Sequence, residues 1–269
     1  MFQSGCCIPG HSFMPEGVGE ISVSAYEVLK TGTRIIMDNG FDFAEATVGL
    51  IMGLGEEELE LLAGREGKHI TVCNSFIPPS LPIVRGGDDL RKYVNESMRR
   101  MKVLSIDTVI FGSGTARRIP EGMSKAEGME KITDFLKMCS EYGDKYGITV
   151  AIEPLNSRET NAINSVEEGA ELAEKLNLKN IKLLADAFHM AREKEPVSIL
   201  SDIAHLLVHV HVSEPDRAYP GKHSGDYLPA FAKELKAGRY KGGISAECSF
   251  DDFKSESAAA AAYMREVFK

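Results

Sequence analysis

Short β-branched apolar runs alternate with longer amphipathic stretches from one end of the chain to the other. This is the βαβα pattern of a parallel sheet covered by helices. The runs predict eight strands, near Gln3 to Ile8, Phe41 to Ala46, His69 to Ser75, Thr108 to Gly112, Thr149 to Glu153, Lys182 to Asp186, Leu207 to Val212 and Gly243 to Cys248. Between them, Ser22 to Lys30, Glu56 to Gly64, Asp88 to Lys102, Ser124 to Tyr146, Ser165 to Leu176, Val197 to Ala204, Tyr227 to Leu235 and Ser255 to Phe268 carry helical periodicity. Ser124 precedes Glu127, and Ser165 precedes Glu168, at the spacing of a capping box, and Gly147 stands where the fourth helix must stop.

No Gly/Ser/Pro linker and no break in composition interrupts this rhythm, which predicts one domain over residues 1–269. Eight units of about 34 residues each match the βα unit of a (β/α)8 TIM barrel, and an open doubly wound sheet is the runner-up. Against the open sheet, no G-x-G-x-x-G follows the first strand and no G-x-x-x-x-G-K-[ST] occurs anywhere.

Composition narrows the function class. With 43% hydrophobic residues the chain can fill a large core, and a net charge of −9 repels phosphate backbones and anionic lipid, arguing against nucleic acid and membrane surfaces as partners. The longest apolar stretches, such as Ile148 to Ile152 and Ile203 to Val212, fall far short of the roughly 18 residues a bilayer requires. The N-terminal residues have neither the basic region nor the apolar core of a signal peptide. Five cysteines, Cys6, Cys7, Cys73, Cys139 and Cys248, sit in apolar segments without a C-x-x-C pair. Reduced, buried thiols in a cytoplasmic protein are the expectation.

In a barrel of this kind the chemistry gathers at the C-terminal ends of the strands. Four residues end strands there: Glu153 in Val-Ala-Ile-Glu, Asp186 in Leu-Leu-Ala-Asp, His211 in Val-His-Val-His and Glu247 in Ile-Ser-Ala-Glu. They are separated by 33, 25 and 36 residues, so four consecutive strands deliver one each to the same rim. Three converging carboxylates repel one another unless they share a cation. Three carboxylates and an imidazole suit Mn²⁺, Mg²⁺ or Co²⁺, with Zn²⁺ compatible, and they leave positions for substrate oxygens. A single acid at a strand end is as readily explained as the cap of the following helix; the recurrence at unit spacing favours a metal site.

Other polar residues rank lower. His209 lies two residues deeper than His211 on the same strand face and reads as structural, as does His205 on the preceding helix. Glu159, His189 and Arg217 follow the strand-end residues on loops that overhang the same mouth. The loop Gly112-Ser113-Gly114-Thr115-Ala116-Arg117-Arg118 can be read as an anion cradle or as a tight turn with solvated arginines. Lys222 and His223 add positive charge near the mouth, and Phe13, Phe76 and Tyr219 are candidate aromatic surfaces for a sugar ring.

The segments Glu153-Pro-Leu-Asn156 with Glu159, Asp186-Ala-Phe-His189-Met190, and His209-Val-His211-Val-Ser-Glu214 with Arg217 resemble the xylose-isomerase-like TIM-barrel superfamily of sugar isomerases and epimerases. Within it they are most similar to the ketose 3-epimerase branch, the tagatose and psicose epimerases. The resemblance runs through nearly the whole chain. It implies that Glu153, Asp186, His211 and Glu247 bind one divalent metal, Mn²⁺ first among the choices, and that Glu153 and Glu247 are also the acid/base pair. It further implies that Glu159, His189 and Arg217 hold the carbonyl end of a sugar, and that proton abstraction proceeds through an enediolate. By analogy with such barrels the chain is expected to form a homo-oligomer. Two departures leave the sugar open: Ser157-Arg158 replaces the Arg-aromatic pair usual in those epimerases, and the chain has no Trp.

Three other activities compete with the isomerase reading. A hydrolase of the apurinic-endonuclease type needs further metal ligands, and no His ends the predicted third or fourth strand. A dehydratase of cyclic polyols shares the first proton abstraction. A sugar-binding barrel without turnover has no need of two bases across one carbon.

Overall fold

The computed structural model describes residues 2–9, 23–223 and 225–269. Phe13 and Ser22 lie outside them. Eight parallel strands, β1 (Gln3–Cys7), β2 (Phe43–Thr47), β3 (Ile70–Asn74), β4 (Thr108–Phe111), β5 (Thr149–Ile152), β6 (Ile181–Asp186), β7 (Leu207–Val212) and β8 (Gly243–Ala246), follow one another around a closed barrel. β8 pairs with β1, Gly5 opposite Ser245, and this pairing closes the ring. The fold is the single-domain (β/α)8 TIM barrel that the strand rhythm predicts.

Ten α-helices cover the described strands: α1 (Ala25–Asp38), α2 (Val48–Met52), α3 (Glu56–Ala63), α4 (Asp88–Val103), α5 (Lys125–Tyr146), α6 (Val166–Leu176), α7 (Ala187–Glu193), α8 (Ile199–Ile203), α9 (Tyr227–Ala237) and α10 (Phe253–Val267). In α4, Leu90, Val94, Met98 and Met101 recur at intervals of three and four and bury one stripe, as an amphipathic helix on a sheet must. Ser124 and Glu127 form the full capping box of α5, and Gly147 ends that helix in the left-handed conformation. Ser165 makes only half a box: it accepts the Glu168 N–H, while the Glu168 carboxylate accepts from Asn164 N and Lys125 Nζ.

Two departures from the pattern have local causes. The first helix runs on to Asp38, well past Lys30, although Thr31-Gly32-Thr33 breaks its periodicity. Packing decides this, because a Cβ on Gly32 would lie 2.6 Å from Ile8 Cγ2, so the helix needs a glycine to approach β1. The short helices α2 and α7 carry too few turns to show a period and start directly from strand ends, capped by Thr47 and Asp186.

Alternation along each strand sets the interior in layers. Phe43, Val72, Ile110, Ala151 and Leu184 form an apolar plug across the lower barrel. Phe43 is the bulk of it, and its ring fills the space a side chain on Gly5 would occupy. Two residues further along the same faces stand Glu45, Asn74, Gly112, Glu153 and Asp186, so the polar layer sits directly on the plug. Phe76 packs into the core against Phe135 and is fully buried, which removes it as a sugar-facing surface. All five cysteines are free and buried.

Candidate active site

Glu153, Asp186, His211 and Glu247 converge at the C-terminal mouth, each offering a ligand atom within 4.8 Å of the others. His211 Nδ1 is the focus: it lies 3.3 Å from Glu247 Oε2, 3.4 Å from Glu153 Oε1 and 3.8 Å from Asp186 Oδ2. It is a buried nitrogen without a hydrogen-bond partner. An orphaned imidazole nitrogen ringed by three carboxylates is a donor set that fits a hard or borderline divalent cation.

Each member is held by a different element. Asp186 uses its two oxygens separately: Oδ1 accepts the Phe188 and His189 N–H groups and caps α7, while Oδ2 faces the cluster. The helix-cap reading of this residue therefore accounts for Oδ1 alone and leaves Oδ2 turned toward His211. Glu153 stands over Gly112, whose missing side chain makes room for it. Glu247 Oε1 accepts from Asn74 Nδ2 at 3.4 Å, and its other oxygen is paired with Arg217.

Charge pulls the two glutamates apart. Burial pushes the Glu153 carboxyl up, with the Glu247 charge adding to it. Glu247 is partly buried, yet Arg217 and His211 overcome the cost of desolvation and hold it well below the usual carboxylate range. His211 is raised well above an ordinary histidine, burial notwithstanding, by Glu45 and Glu247.

Glu159 and Arg217, on loops, and His189, which lies in the first turn of α7 and not on a loop, line the same cavity of about 290 Å³ with Glu153 and Glu247. His189 Nδ1 accepts the Asn156 backbone N–H at 3.2 Å, which leaves its Nε2 side toward Glu153 Oε1 at 3.9 Å. Asn156 Nδ2 donates to Glu159 Oε1 at 2.7 Å, so one amide organises both His189 and Glu159. Arg217 bridges Asp186 Oδ2, at 3.0 Å, and Glu247, with its guanidinium 4.6 Å from the Phe188 ring centre. Its backbone is in the left-handed region, φ 71°, a conformation that costs a bulky residue about 1 kcal/mol and persists only where the surroundings impose it. Here Ser249 N donates to Arg217 O and ties the loop to the one after β8.

The loop after β4 turns one of its two arginines inward, so Arg117 supplies no solvent-facing charge and only Arg118 is solvated. Arg117 is fully buried and donates to the carbonyls of Phe111 (3.0 Å), Glu153 (2.8 Å) and Ile163 (3.3 Å). Burial pushes its guanidinium down to about 10, against the pull of Glu153 and Glu159. Arg118 is exposed, and only its Nη2 is engaged, donating to the Arg158 and Glu159 carbonyls. Lys222 pairs with Asp251 and His223 with Asp216, so neither offers unbalanced charge to the mouth. Tyr219 stacks on Phe250 with rings 6.5 Å apart.

Glu45 is the residue that sequence reasoning missed. It is buried beneath the cluster, between His209 and His211. Its signal was an acid at an inward position of an apolar strand, Phe-Ala-Glu-Ala-Thr, two residues beyond Phe43.

Residues 34–267 match the model of the xylose isomerase-like TIM barrel family. The chain belongs to that family. A probable ketose 3-epimerase of Synechocystis is 27% identical over 221 residues, 79% of this chain and 76% of the relative. The D-psicose 3-epimerase of Agrobacterium fabrum is 32% identical over 196 residues, 68% of this chain and 66% of the relative. Such family members are named sugar epimerases, which are isomerases. A crystal structure of the Clostridium cellulolyticum D-psicose 3-epimerase with D-tagatose superposes over the full length of both chains with a TM-score of 0.83; at 16% identity this likeness is one of fold. Among the described residues no helix is long and apolar enough to cross a membrane.

Proposed function

We propose that this chain is a divalent-metal-dependent sugar epimerase of the ketose 3-epimerase kind, an isomerase that inverts a carbon next to a carbonyl. The observation that carries the reading is the orphaned His211 Nδ1 flanked by Glu153 and Glu247, two carboxylates that also line the cavity. Glu153, Asp186, Glu247 and His211 through Nδ1 would hold the ion, with Mn²⁺ preferred because the set is rich in oxygen. When bound, the ion polarises a carbonyl oxygen and stabilises the charge that builds there as a neighbouring proton leaves.

The protein's own groups supply the rest. One glutamate removes the proton from one face of the carbon and the other returns a proton to the opposite face, which inverts it. Arg217 pairs with the same oxygens that face His211, Asp186 Oδ2 and Glu247 Oε2, and balances their charge. His189 and Glu159, fixed by Asn156, bind the sugar at its carbonyl end. Relatives named ketose 3-epimerases support the substrate class. β3 ends on Asn74 and β4 on Phe111, so the set resembles a one-metal site more than a multinuclear hydrolase.

The test is NMR of ketoses, aldoses, sugar acids and their phosphates incubated with the protein in D₂O with Mn²⁺ or Mg²⁺, the metal being removed before acquisition. Loss of one C–H signal, with inversion at that carbon, is the expected result. Metal bound at the cluster with no exchange in any compound overturns the reading.

A further inference from the structure

Under the acid cluster, in the closed interior of the barrel, one carboxylate holds two imidazoles. Glu45 Oε1 lies 2.9 Å from His211 Nε2, and Glu45 Oε2 lies 3.0 Å from His209 Nε2. All three residues are buried. The two rings meet edge to face, 5.3 Å apart at 85°, and Phe43 packs edge-on against His209 from below. Ser245 Oγ, 3.0 Å from His209 Nε2, is the remaining polar neighbour of that nitrogen.

A carboxylate offers only acceptors, so each imidazole that meets it must carry hydrogen on Nε2. For His211 the consequence is directional. With Nε2–H spent on Glu45, the ring presents Nδ1 to the mouth, and Nδ1 is the buried atom that finds no partner in the protein. Burying a carboxylate is costly, and apolar residues of the same volume would stabilise the interior at least as well. What Glu45 adds over an apolar residue is the orientation of a neighbouring ring.

We infer that Glu45 is a positioning residue that fixes His211 with Nε2–H pointing down and Nδ1 free to donate to a cation, while His209 braces Glu45 from its other oxygen. This rests on the proposed metal reading for its consequence, but not for the orientation itself. A carboxylate behind a metal-binding histidine raises its donor strength and holds the ring, and losing one weakens metal binding by about 10–100-fold.

The experiment has two parts. Long-range ¹H–¹⁵N spectra of the wild-type imidazoles, recorded metal-free and with Zn²⁺ as a diamagnetic probe, are expected to show hydrogen on His211 Nε2 in both states. On Zn²⁺ addition the Nδ1 resonance should shift. A bare Nε2 on His211 overturns the inference, and this reading needs no variant to fold. In the second part, Glu45→Gln keeps the volume but presents an amide N–H₂ to one of the two rings. Its dissociation constant for Zn²⁺ and Mn²⁺, measured against a chromophoric chelator, is expected to rise about 10–100-fold with an unchanged circular dichroism spectrum. A folded Glu45→Gln whose metal affinity stays within about twofold of wild type overturns it. If the wild type carries Nε2–H on His211 yet binds no divalent ion, the proposed function falls while the Glu45–His211 orientation stands.

Discussion

Glu153 occupies the space that a side chain on Gly112 would need: a Cβ built on Gly112 would overlap Glu153 Oε2. The glycine at the end of β4 and the glutamate at the end of β5 are thus a matched pair across neighbouring strands. Gly112→Ala must push the carboxylate off its position toward His211. Since a misplacement of about 1 Å can cost about 10²-fold in rate, the variant is expected to lose about that much kcat at near wild-type thermal stability. Steady-state kinetics beside a melting curve checks it; unchanged kcat would mean that Glu153 has slack.

The two glutamates are expected to fail in different ways from the residues around them. Glu153→Gln and Glu247→Gln each remove one proton carrier, so inversion should fall by about 10²–10⁴-fold or more and solvent deuterium should enter only the epimer whose C–H faces the remaining glutamate. Arg217→Met should instead lower turnover and leave slow exchange detectable, because the proton carriers remain. NMR of exchange and net conversion in the three variants separates these outcomes.

Arg117 donates to three buried carbonyls, one of them that of Glu153. Arg117→Met leaves the Glu153 carbonyl without a donor, while the carbonyls of Phe111 and Ile163 keep the N–H groups of Glu153 and Leu155. About 2 kcal/mol of stability should be lost, a fall in Tm of about 4–8 °C. A melting curve within a degree or two of wild type would show that water replaces the guanidinium.

Stripping the cation should uncover the repulsion among Glu153, Asp186 and Glu247. Chelation is expected to abolish activity and lower Tm, and re-addition of Mn²⁺ at about 100 times its Kd should restore about 3 kcal/mol. A Tm indifferent to chelator and metal would argue that the cluster binds no ion.

Glu195 gives a pH signature away from the cluster. Burial, with the charges of Glu193, Glu167 and Glu168, raises its carboxyl from 4.5 to about 7. A raised carboxyl favours the protonated folded state, so the destabilisation from this one group is absent below pH 4.5 and grows as pH climbs to about 7. Solvent screening at this half-buried position leaves an effect of about 1 kcal/mol. Glu195→Gln keeps an oxygen for the Val166 N–H that Glu195 accepts. It should therefore raise Tm by about 2–4 °C at pH 8 and leave it unchanged at pH 4. Equal shifts at both pH values would assign the effect to something other than charge.

The linear chain by itself determined the eight strands, the barrel and four residues of the rim. Each strand carries its own period-two signal, and a regular βα repeat sends every strand's C-terminal end to one face, so Glu153, Asp186, His211 and Glu247 could be placed together without coordinates. The repeat could not say which residues meet across the barrel. Glu45 and His211 are 166 positions apart, and only closure of β8 on β1 brings their strands around one small interior. Nor could it say where a long side chain turns. Arg117 looks from sequence like a loop cation and is spent on carbonyls inside, because the loop after β4 folds over it. Local patterning is written residue by residue, whereas partner choice across a closed sheet is set by which unsatisfied polar groups the packed interior leaves facing one another.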